Sequence, residues 1–95
     1  MRCRVTYLGA STDSLAHHMS WHLRCEDGAC FIVSWTQFLP VNARFLNGCM
    51  CLAFQSDAEG SLVSDIDVAC SEEHGPYDAL ADICNQLGLE MDGDL

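Results

Sequence analysis

Five side chains able to ligate a metal or act as nucleophiles, His17, His18, His22, Cys25 and Cys30, fall within fourteen residues. A tetrahedral zinc site needs four such N or S donors converging on one point. Strand alternation works against that, because His18 and His22 project to one face and Cys25 and Cys30 to the other. There is no Cys-x-x-Cys, and Cys49-x-Cys51 is poor spacing for a metal although its two thiols share a face. In the register expected for their hairpin, Cys25 and Cys30 oppose each other where Cα atoms approach within about 4.5–5.5 Å. That is within disulfide reach. The pair is either a cross-strand bridge with a redox use or two small residues packed side by side. His74, beside Glu72 and Glu73, is either an acid–base candidate or a residue that simply precedes a helix. No nucleophile elbow, phosphate loop or paired metal motif is present, so no catalytic residue, metal or cofactor is assigned.

The elements that would carry these residues are legible in outline. Cys3 to Leu8 alternates and reads as a first strand with Cys3, Val5 and Tyr7 inward. Residues 9–16 read as a loop or short helical turn, with Ser11 as its N-cap. Met19–Glu26 and Ala29–Trp35 flank Asp27-Gly28, a two-residue type I′ turn signal. That turn pairs Glu26 with Ala29, Cys25 with Cys30 and Leu23 with Ile32. Pro40 breaks any long helix, a short one is expected around residues 42–46, and Asn47-Gly48 marks a turn.

Asp57-Ala58-Glu59-Gly60 fits a type I turn closed by a left-handed glycine. It predicts Ser56 opposite Leu62, Phe54 opposite Ser64, Leu52 opposite Ile66 and Met50 opposite Val68, with the apolar residues on one side. Asp65 and Asp67 then share the other side. Gly75-Pro76 opens a helix with Asp78 in its first turn. Leu80, Ile83, Cys84 and Leu87 form its apolar stripe, and Gly88-Leu89 ends it. Residues 90–95 read as a frayed acidic tail. The fold class is α+β: a roughly five-stranded, mostly antiparallel sheet, two hairpins plus an N-terminal strand, with one C-terminal helix packed on it.

Ninety-five residues, 49% hydrophobic and 19% charged, suit one folded domain, residues 1–95. No apolar run reaches the ~20 residues of a membrane helix. Residues 1–5 lack a signal peptide's apolar stretch, which makes the cytoplasm the expected compartment. The seven cysteines, an odd number, then read as reduced buried thiols.

Charge is the least ordinary property. Four arginines and no lysine oppose 14 acids, giving −10. Residues 1–56 net +1, while residues 57–95 hold eleven acids and no Lys or Arg. Such a field repels nucleic acid and anionic membrane and steers basic surfaces inward. The acids at Asp57, Glu59, Asp65, Asp67, Glu72, Glu73, Asp78 and Asp82 fall on the second hairpin, the helix start and the helix face. They form either a partner-binding field or a solvated face. Asp78 and Asp82, four apart, share one helical side.

In length and in the acids from Asp57 to Asp94, the chain resembles the small, acidic, phage-encoded inhibitors, anti-CRISPR proteins and DNA mimics among them. That resemblance implies a non-enzymatic, stoichiometric inhibitor docking on a basic, nucleic-acid-handling protein surface. Trp21, Trp35 or Phe38 would be apolar anchors. A toxin-neutralising immunity protein has the same physics. The contrasting readings are a Cys/His metal-binding or redox module and an assembly subunit.

Overall fold

The computed structural model describes residues 1–39 and 48–92. Strands β1 (Arg2–Thr12), β2 (Ala16–Cys25), β3 (Cys30–Phe38), β4 (Cys49–Ser56) and β5 (Leu62–Ser71) are followed by helix α1 (Pro76–Gln86) and strand β6 (Glu90–Asp92). They build one mixed sheet in the order β5-β4-β3-β2-β1-β6. The first five strands form an antiparallel meander, and β6 adds parallel to β1. The chain is therefore α+β with its helix C-terminal, but its described residues form six strands rather than five. Glu90–Asp92, expected to begin a frayed tail, pair instead with Arg2–Arg4. The expected short helix at 42–46 and the Asn47 position of its turn lie outside the described residues.

The core occupies one face. Cys3 and Val5 of β1, Trp21, Leu23 and Cys25 of β2, Val33 and Trp35 of β3, and Cys51 and Ala53 of β4 are all buried there. Ala79, Leu80, Ile83 and Cys84 of α1 close over them. The helix begins at Gly75, carries proline in its first turn, and ends where the Leu89 N–H bonds the Cys84 carbonyl across Gly88 at φ +71°. It crosses the sheet, touching β5, β4, β3 and β6.

Three expectations need correction. The segment 9–16 is mostly strand: β1 runs to Thr12, with a bulge between Tyr7 and Gly9, and Asp13 makes the turn. One Asp13 carboxylate oxygen accepts the N–H groups of Leu15 and Ala16, both at 2.8 Å.

The first hairpin has a three-residue loop. The Gly28 N–H bonds the Cys25 carbonyl, Gly28 takes φ +93°, and Arg24 rather than Cys25 faces Cys30. This one-residue slip places Trp21, Leu23 and Cys25 on the same face as Phe31, Val33 and Trp35. The two-residue register would have left β3 apolar on the wrong side, so burial of β3 selects the longer loop.

In the second hairpin the predicted turn forms and Ser56 does face Leu62, but two register shifts follow. Phe54 faces Asp67, Ala53 faces Ala69 and Cys51 faces Ser71. Small Ala69 and Ser71 thus sit opposite Ala53 and Cys51 on the face that α1 covers, where the expected register would have buried Asp65 and Asp67.

Candidate functional site

The histidines do not assemble a site. His17 Nδ1 lies 2.8 Å from Thr12 Oγ1, His18 Nε2 lies 3.0 Å from Asp13 Oδ2, and His22 Nε2 donates to the Asp57 carbonyl at 3.3 Å. Each ring is held by a different partner. Among the described residues, no three His, Cys, Asp or Glu side chains are grouped so as to hold a metal.

The thiols are free and, apart from Cys70, buried. Burial pushes Cys25 up to about 11 and Cys51 and Cys84 up to about 12. Such thiols stay protonated near neutrality and are weak nucleophiles. Sequence reasoning missed one juxtaposition, because 25 residues separate its members: Cys49 Sγ lies 3.7 Å from His74 Nδ1. Both line a cavity of about 230 Å³ with Gly48 and Glu72. The Cys49 thiol also donates to the His74 carbonyl at 3.5 Å, and burial raises its pKa. Its proton is therefore held on sulfur rather than passed to the ring.

The acids are distributed along β5 and the elements that flank it. Asp57 and Glu59 occupy the β4–β5 turn, where an Asp57 carboxylate oxygen accepts the N–H groups of Glu59 and Ser61. This turn curls back over the outer face toward β2: Arg24 donates to the Ala58 carbonyl at 2.9 Å. Asp57 is thus partly a structural cap, and it shares its turn with a cation's hydrogen bond. Asp65 and Asp67 are exposed on β5, at the outer margin of the sheet. Glu72 and Glu73 are exposed in the link to α1, at the far end of β5. At about 3.3 Å per residue, that strand separates them from the Asp57 turn by roughly 30 Å.

On the helix, Asp78 is exposed. Asp82 is half-buried, accepts from Gln86 Nε2 at 3.3 Å, and its charge helps to raise Cys51. Asp82 therefore leans toward β4.

Arg2, Arg4 and Arg24 lie on other strands. On β1 and β2, Arg4 stands opposite Arg24, and Arg2 pairs with Asp92 at 3.7 Å. β5 and β1 lie on opposite sides of the middle strands, so Asp65 and Asp67 are distant from Arg2 and Arg4, while Glu90 and Asp92 of β6 lie beside those arginines. The three expected anchors divide as well. Trp21 and Trp35 are core residues, and Phe38 is half-buried at the end of β3.

A feature not read from the sequence accompanies the acids. Leu62, Val63, Ile66 and Val68 of β5 are exposed, Ile66 to 71%. The signal was present in Ala69 and Ser71, whose small size matches Ala53 and Cys51 under the helix. No family model, curated protein or solved structure matches the chain. Among the described residues, no helix is long and apolar enough to cross a membrane.

Proposed function

We propose that this protein is a non-enzymatic, stoichiometric inhibitor that binds a basic, nucleic-acid-handling protein through the acidic margin formed by β5, the link after it and α1. One observation carries the reading. The segment 57–95 holds eleven acids and no Lys or Arg, and Asp65, Asp67, Glu72, Glu73 and Asp78 stand exposed on or beside ordered elements. Fixed carboxylates spaced along an edge can occupy a groove that otherwise neutralises phosphates with Lys and Arg. The arrangement is of the kind used by anti-CRISPR proteins and DNA mimics, with action inside the cell that houses the target.

The test is competition. A nucleic-acid-binding protein retained by this chain at low salt should lose its nucleic acid in proportion to the chain added. The combined Asp65→Ala, Asp67→Ala and Glu72→Ala variant should bind at least tenfold more weakly. Affinity indifferent both to that variant and to ~0.5 M salt, where charge interactions are screened within a few ångströms, would remove the electrostatic mechanism.

A further inference from the structure

Among the described residues β5 ends the sheet, so one side of its backbone faces no strand of theirs. A long edge strand of this kind is usually blunted, because unpaired N–H and C=O groups and apolar side chains invite another strand. Here the blunting is local. Gln86 Nε2 takes the Cys70 carbonyl at 2.7 Å, and Ser64 Oγ accepts the Ile66 N–H at 3.2 Å. From Leu62 to Val68 the strand otherwise presents Leu62, Val63, Ile66 and Val68 to solvent, with Asp65 and Asp67 between them.

The acids select what can pair there. A second copy adding antiparallel about Ile66 would set Asp65 of each chain opposite Asp67 of the other. Centred on Asp65, it would set that residue against itself. Like charges directly opposed across strands are destabilising, whereas opposite charges are favourable. No lysine or arginine occurs in the segment 57–95 to relieve the clash. A strand with basic residues opposite Asp65 and Asp67 gains both the backbone ladder and the charge pairs. Apolar residues between its cations would cover Val63 and Ile66.

We propose that β5, between Leu62 and Val68, is a docking edge that receives an extended, lysine- or arginine-bearing segment of a partner protein as an added strand. Main-chain hydrogen bonds would supply affinity and the alternating side chains specificity. The inference rests on the acidic-margin reading above and gives it a binding mode.

Two ten-residue peptides test it, one alternating valine with lysine and one alternating valine with glutamate, each added to the whole chain in ~0.05 M salt while amide hydrogen exchange is followed. The lysine peptide should slow exchange at the outward amides between residues 62 and 68 by tenfold or more, and the glutamate peptide should not. Ile66→Pro, which removes the N–H that Ser64 Oγ accepts and disrupts the strand, should abolish that protection. Should the proline variant fail to fold, the surface pair Asp65→Lys and Asp67→Lys should reverse the preference toward the glutamate peptide. Lysine-peptide binding that protects no β5 amide overturns the docking edge and leaves the acidic-margin reading standing. Binding of neither peptide also overturns the edge, and the competition experiment then decides the acidic margin separately. A dimer that protects the same amides without peptide overturns it in favour of a second copy.

Discussion

Cys25 stands directly across the sheet from Cys3, on the buried face, and not across from Cys30. Cys30 lies on the other face, where it pairs with Arg24 and donates its thiol to the Gly28 carbonyl at 3.6 Å. The hairpin that seems from its Asp27-Gly28 turn to align two thiols therefore separates them. This arrangement decides how the cysteines respond to reagents.

Cys70 is the exposed thiol among the seven. Brief treatment of the folded protein with iodoacetamide at pH 7.5 should label Cys70 first, with Cys25, Cys51 and Cys84 modified only after denaturation. Peptide mass mapping reads the result. Prompt labelling of Cys51 or Cys84 would contradict their burial.

The same burial makes the fold sensitive to alkali. Unfolded thiols lose their protons near 9.0, whereas Cys51 and Cys84 keep theirs in the folded chain to about 12. Between those values the native state binds more protons than the unfolded state, so stability falls as pH rises. The contribution is complete below pH 9 and lost as pH climbs toward 12, by up to about 1.4 kcal/mol per thiol for each pH unit. Urea midpoints at pH 8, 9.5 and 10.5 should decline in that order, and Cys51→Ala should flatten the decline.

Asp13 has the opposite dependence. The N–H groups of Leu15 and Ala16, then the His18 ring, hold its carboxyl below the usual carboxylate value of 3.8. Its folded pKa is depressed, so its contribution is present above 3.8 and lost as pH falls below it. Asp13→Ala should lower the melting temperature at pH 6, and the difference from the unaltered protein should shrink steadily on acidification below pH 4.

The β4–β5 register can be checked by two isoleucines. Ile83 is fully buried on the sheet-facing side of α1, while Ile66 is 71% exposed on β5. Ile83→Ala should cost about 2–5 kcal/mol of unfolding free energy, whereas Ile66→Ala should stay within about 0.5 kcal/mol. Equal penalties in chemical denaturation would restore the alternative register, in which Ile66 faces Leu52 in the core.

Much of the architecture is legible without coordinates, and its failures have one origin. Leu80, Ile83 and Cys84 follow helical spacing so closely that α1 is legible from local pattern, and the Asp57–Gly60 turn forms as its residues dictate. Registers were harder to read. Asp27-Gly28 serves a two-residue loop or a three-residue loop with a left-handed glycine, and only the burial of Val33 and Trp35 chooses between them. Bulges in β4–β5 respond to the helix above Ala53 and Ala69, a contact absent from any local window. The acids were visible from composition alone. Their division into a turn beside Arg24, an open edge and a helix side depends on which strands are neighbours. β6 carried too weak a pattern in three residues to reveal itself.

That short strand bears on the order in which the molecule assembles. Each strand from β2 to β5 pairs with the one just before it, so the meander can zip up through closures between chain neighbours. Pairing Arg2 with Glu90 instead closes almost the entire polypeptide, a step whose entropic cost is met only after intervening contacts exist. Chain closure alone therefore favours late docking of β6, with β1 the unsealed margin until it docks. Early in folding the sheet has two open sides. The folded protein closes one with its own β6, and among the described residues β5 stays uncovered by a strand.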